Sequence, residues 1–166
     1  MLLSYQERIY LLVSLLVVFL DGIIIYFIPS YFNNINYFYP MLTISIIPFS
    51  YLCSKKKIYF LVFFIAIIYD LLYSNIFLYN TILFTFFINI DIKIIKSFKD
   101  SLLLFILLAI LNIIIYDVIS FLLIILTSYQ SVSIYDLIYK IDHSLLLNIM
   151  SVFVFWFLFK KNTYLA

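Results

Sequence analysis

SKKKIYFLVFFIAIIYDLLYSNIFLYNTILFTFFINIDIKIIKSFKD, residues 54–100, decides how this chain is built. Lys55, Lys56 and Lys57 open it, and an apolar run follows from Ile58 to Tyr73. Ser74 and Asn75 make a short polar turn, a second apolar run goes from Ile76 to Ile90, and Lys93, Lys96 and Lys99 close the stretch. Cationic residues resist translocation and collect in the cytoplasmic loops of membrane proteins. Two apolar runs between two cationic clusters therefore describe a helical hairpin that enters a membrane and returns to the side it came from.

The same alternation extends in both directions. Arg8 precedes a run over about 9–28, and the Lys55–Lys57 cluster follows a run over about 37–53. Beyond the loop 91–100 come runs over about 102–126 and about 144–159, the last followed by Lys160 and Lys161. Of the ten Lys and Arg residues, only Lys140 falls on the other side. A crossing takes about 20 apolar residues, with a range of roughly 17–25. Six crossings with both termini cytoplasmic satisfy the charge pattern, whereas five would put one cluster outside. The expected fold is an all-α integral membrane protein, a compact bundle of six transmembrane helices forming one domain over 1–166. With 67% hydrophobic and 11% charged residues the composition is not that of a soluble domain. The first run is too long for a signal-peptide core and lacks a small-residue cleavage site, so it reads as a retained anchor.

Several local features refine this outline. Pro48 removes a backbone donor inside the second segment and is expected to kink it. The fifth segment is long enough to tilt. In the outer loop 127–143, Ile134, Leu137, Ile138 and Ile141 repeat at helical spacing, with Ser133 and Asp136 in a loose capping-box pattern. Asp136 and Lys140 make an i,i+4 pair. A short amphipathic helix over about 134–142, lying on the outer membrane face, is expected there. Glycine occurs once and GxxxG is absent, which removes the usual close-packing device of membrane helices. The wealth of Ile, Phe, Tyr, Asn and Lys fits an AT-rich bacterial genome.

Chemistry-bearing residues are few. The single cysteine, Cys53, cannot form an internal disulfide and reads as an apolar filler. His143 has no Cys or Glu cluster around it, so no metal site is expected. P-loop, GxSxG, HExxH and CxxC motifs are absent, and no cofactor or nucleic-acid partner is implied. The lysine clusters read as topology signals that also touch anionic lipid. Trp156 and many tyrosines read as interfacial anchors.

Three carboxylates lie inside apolar runs: Asp21, Asp70 and Asp117. All three are on outward-running segments and past the midpoint, so they share a depth in the outer half of the membrane. A buried charge there costs at least a few kcal/mol, so such residues face protein or water. No Lys or Arg lies within an apolar run to neutralise them. Hydrogen bonding is expected from Tyr73 and Ser74 beside Asp70 and from Ser120 beside Asp117; docking of a partner's cation, ion or substrate binding, and paired-carboxylate catalysis are the competing roles. IIYD recurs at 67–70 and 114–117, a faint self-similarity in so Ile- and Tyr-rich a chain.

Residues 64–87, FIAIIYDLLYSNIFLYNTILFTFF, resemble the rod shape-determining protein MreD family. In that family an apolar helix carries an Asp near its outer end, followed by a polar turn, an Asn-containing stretch and the next helix. Asp70 matches the Asp, Ser74 and Asn75 the turn, and Asn80 the Asn; Tyr39-Pro40 matches an aromatic-Pro pair opening the second helix. The family's glycines around the Asp helix and before the Asn are replaced by Ala66 and Leu78, and its acidic residue after the Pro by Met41. The resemblance implies a non-enzymatic scaffold of the bacterial cell-wall elongation machinery in the inner membrane. It would bind the bitopic protein MreC, and through it MreB, a SEDS-type glycosyltransferase and a class B penicillin-binding protein. It also implies a fold similar to the substrate-binding subunits of energy-coupling-factor vitamin transporters. On this reading Asp70, Asn80 and Pro40 are the function-sensitive positions, with Asp21 and Asp117 as further partner or structural candidates.

Two rivals remain. A vitamin-type transporter subunit would show small residues for docking its energising partner, yet the only alanines are Ala66, Ala109 and Ala166. A lipoprotein-signal-peptidase-type protease would have fewer crossings and a Gly- and Ala-containing motif near its catalytic Asp.

Overall fold

The computed structural model describes residues 3–27, 41–54, 57–74, 76, 78–98, 100–127 and 133–163. Among the described residues all regular structure is helical. The elements are α1 (Tyr5–Phe27), α2 (Met41–Ile46), a 3₁₀ turn (Ile47–Phe49), α3 (Ser50–Cys53), α4 (Ile58–Tyr73), α5 (Tyr79–Ser97), α6 (Leu102–Thr127) and α7 (Ile134–Thr163). Two stretches, Leu102–Thr127 and Lys140–Lys160, are long and apolar enough to cross a membrane, and Leu42–Cys53 and Ile58–Tyr73 are shorter apolar helices. Pro40 lies outside the described residues, as do Tyr39, Lys55, Lys56, Asn75 and Lys99.

The segment α2–3₁₀–α3 forms the centre. Every residue from Thr43 to Ser50 is buried, and α1, α6 and α7 pack around α2. The i→i−4 ladder gives way at Pro48, as a missing backbone N–H requires, and the tighter 3₁₀ turn takes its place. That change of pitch points Phe49 into an aromatic nest. Its ring lies 4.6 Å from Phe105, 5.8 Å from Phe155 and 5.7 Å from Phe159, between centroids. Offset and edge contacts of this kind are favoured by the ring quadrupoles. Helix α4 pairs with α5, and α6 with α7.

Two boundaries differ from the sequence reading. The stretch 91–100, expected to be a loop, is helical through Ser97. The physical reason is a stripe at helical spacing, Phe84, Phe87, Ile88, Asp91, Ile92 and Ile95, which is buried along its whole length. The outer segment 134–142 is helical, but it runs without a break into the last apolar segment as part of α7, rather than forming a separate helix. No proline or glycine lies between Ile134 and Thr163 to interrupt it.

The one glycine does serve close packing. A Cβ on Gly22 would collide with the ring and hydroxyl of Tyr73, which donates to the Val18 carbonyl at 3.0 Å. Gly22 thus lets α4 reach over α1.

Candidate functional site

The three carboxylates that interrupt apolar runs all gather at one end of the bundle, each close to where the next helix begins. Asp70, near the end of α4, accepts from the Asn80 backbone N–H (2.9 Å) and side-chain Nδ2 (2.9 Å) on one oxygen, and from the Thr81 N–H (2.8 Å) and Oγ1 (2.6 Å) on the other. These N–H groups belong to the first turn of α5, where a helix has no partners of its own for them. Asp70 is a helix cap delivered by the preceding helix, and its charge also meets the positive end of the α5 dipole.

Asp21 repeats the arrangement one hairpin earlier. It accepts from the Leu42 N–H (2.9 Å) on one oxygen, and from the Thr43 N–H (3.0 Å) and Oγ1 (2.5 Å) on the other, at the start of α2. The two sites share a grammar: a carboxylate, two successive amides and a threonine hydroxyl at the second. This answers how Asp21 and Asp70 stay buried with no cation paired to them among the described residues.

The expected donors are therefore corrected. Tyr73 bonds the Val18 carbonyl and Ser74 bonds within its own turn, to Ile76. Asn80, a sequence candidate in its own right, is joined directly to Asp70. Its remaining oxygen accepts from Tyr116 Oη at 3.0 Å, which carries the network from α5 to α6.

Asp117 is solved differently. Its Oδ1 lies 3.0 Å from Lys140 Nζ on α7. Ser120 does not reach it; its hydroxyl bonds the Tyr116 carbonyl and meets Tyr79 Oη at 2.7 Å. The cation that no apolar run contains arrives from the start of α7, which begins early enough for Lys140 to lie against α6. Lys140 thus reaches across helices; its expected i,i+4 partner Asp136 has a side chain outside the described residues.

The start of α5 carries a backbone signature. Leu78, the residue before its first turn, has φ 63° and ψ 9°, the left-handed region. A side chain there costs about 1–2 kcal/mol, which glycine avoids. Leu78 adopts this conformation immediately before the α5 turn that Asp70 caps.

Two polar clusters escaped sequence reading. Asp91, fully buried in α5, takes both its bonds from Asn112 Nδ2 on α6, at 3.3 and 3.1 Å. Its place in the buried stripe was the available signal. At the opposite end of the bundle, Ser4 and Glu7 form a reciprocal capping box, Ser4 N–H to Glu7 Oε2 (2.8 Å) and Glu7 N–H to Ser4 Oγ (3.3 Å). Glu7 also accepts from Ser54 Oγ (2.7 Å) and Lys57 Nζ (2.9 Å), tying α1 to the α3–α4 connection. Burial pushes the Glu7 carboxyl up, but the Ser54 hydroxyl, the Lys57 ammonium and the Ser4 amide outweigh it and hold it at about 2, against an ordinary 4.5. Ser4-x-x-Glu7 was legible as a capping box. A group of three or more His, Cys, Asp or Glu able to hold a metal does not occur among the described residues.

Comparisons with protein-family models, with curated proteins and with solved structures found no match to this chain.

Proposed function

We propose that this chain is a non-enzymatic, six-span scaffold of the MreD type in the bacterial inner membrane, both termini cytoplasmic, acting in cell-wall elongation by binding an MreC-like bitopic protein. The observation that carries the reading is the α4–α5 hairpin. The residues on which the resemblance rests, Asp70 and Asn80, form one hydrogen-bonded unit, and Leu78 adopts the left-handed conformation that suits the family's glycine. The alternation of cationic clusters supports the six crossings.

One feature weighs against the enzymatic rival. Both oxygens of Asp70 and of Asp21 are occupied by helix-start donors, an arrangement that builds a fold rather than presenting a general acid or base.

Co-expression with the MreC-like protein of the same genome, followed by purification in mild detergent, tests the proposal. A complex that survives moderate salt is the expected result. A well-folded protein that never co-purifies would overturn it, and stabilisation by a small-molecule ligand would then establish the transporter-subunit reading.

A further inference from the structure

The hairpin formed by α6 and α7 is closed by a different device from the other two. Separating α5 from Asp70 would strip the Asn80 and Thr81 amides and the Thr81 hydroxyl of their acceptor together. Separating α7 from Asp117 parts two side-chain charges. Such a pair is near break-even, since the cost of desolvating both ions offsets most of their attraction. Asp117 Oδ2 is moreover buried without a hydrogen-bond donor among the described residues, so the closed state does not satisfy this carboxylate as it satisfies the others. The start of α7 is exposed at Ile134, Tyr135 and Ile138 rather than packed into the bundle.

Helix α7 also carries a point about which to bend. Ser144 Oγ bonds the Ile141 carbonyl (3.0 Å), Asn148 Nδ2 bonds the Ser144 carbonyl (2.8 Å) and Ser151 Oγ bonds the Asn148 carbonyl (2.7 Å). Side chains that compete for a helix's own carbonyls loosen its ladder and bend it. Below this stretch α7 is fixed, because Ser151 Oγ also meets Ser45 Oγ of the central α2 at 2.6 Å.

We propose that the Asp117–Lys140 pair is a releasable latch: the start of α7, Ile134–Lys140, swings off α6 about the Ser144–Asn148 stretch, while the α1–α2 and α4–α5 hairpins stay closed. Opening hydrates both charges and uncovers the Ser120–Tyr79 pair beside them.

Distances between paired spin labels, measured by pulsed electron resonance on the full chain in lipid nanodiscs, test this. Labels replace Leu126→Cys on α6 and Ile138→Cys on α7, with a control pair Leu72→Cys and Ile82→Cys across α4–α5, all in a Cys53→Ala background. The α6–α7 pair is expected to show a short distance and a minor longer one, and Asp117→Asn or Lys140→Gln is expected to raise the longer population about threefold or more. The control pair keeps one distance throughout. The exchange Asp117→Lys with Lys140→Asp is expected to restore the closed population, which a variant that had merely lost its fold would not do. One unchanged α6–α7 distance in every variant, or equal broadening of the control pair, would overturn the proposal.

Discussion

Two hairpins in this molecule solve the burial of a carboxylate with backbone, and a third solves it with a side chain. Asp21 and Asp70 each hold two successive amides and a threonine hydroxyl at the start of the next helix. Asp117 holds a lysine. Backbone donors are fixed in place by the helix they begin, so the first solution makes hairpin and cap a single unit. A lysine reaches on a flexible stem, so the second solution leaves the helices separable. Three acidic residues that look alike in sequence thus differ in what they can do.

The strongest way to break this comparison is to remove the caps. Asp70→Ala leaves buried donors unsatisfied at about 1–3 kcal/mol each, so a loss of about 3 kcal/mol or more is expected in reversible unfolding in detergent. Asp21→Ala, with the Asn80-type side-chain bond missing from its set, is expected to cost about 2 kcal/mol by the same reasoning. Two near-neutral substitutions would end the cap interpretation. The joint between the two fixed hairpins is Gly22, and Gly22→Ala must displace Tyr73 from the Val18 carbonyl; a cost of about 1 kcal/mol is expected, visible as a lowered melting temperature. Leu78→Gly sharpens the comparison from the other side. Relief of the left-handed conformation is expected to stabilise the α4–α5 hairpin by about 0.5–1 kcal/mol, and a loss of stability would show that the Leu78 contacts outweigh its backbone strain.

The smallest effect concerns the opposite end. Glu7 has a folded-state pKa below its ordinary value, so its contribution is fully present above about 4.5 and is lost as pH falls toward about 2. Stability of the wild type is expected to decline through that window, and Glu7→Gln is expected to flatten the decline while leaving the carboxylate end untouched. An unchanged slope in Glu7→Gln would remove Glu7 from the account.

Much of this was legible in the sequence, and the omissions have physical causes. The apolar runs locate the helices because a long buried stretch must satisfy its own backbone hydrogen bonds. The buried stripe from Phe84 to Ile95 was visible too, but Asp91 and Lys93 within it read as loop because charge outweighed periodicity. Asp21, Asp70 and Asp117 stood out as expensive residues; their donors did not. Thr43 follows Asp21, and Thr81 follows Asp70, at unequal distances set by the connections between helices, so no fixed motif spans the two sites. The reach of Lys140 to Asp117 was not legible because i,i+4 pairing is local and the α6–α7 contact is not. Gly22 carried no motif, since its partner is a tyrosine from a distant helix rather than a second small residue.

Amide hydrogen exchange over the starts of α5 and α7, compared in wild type, Asp70→Ala and Asp117→Ala, tests the central claim most directly. If Asp70 is a cap and Asp117 a latch, Asp70→Ala abolishes protection at Asn80 and Thr81, whereas Asp117→Ala leaves those amides protected and speeds exchange only in the first turns of α7. Protection at Asn80 and Thr81 that is unchanged in Asp70→Ala would contradict the account.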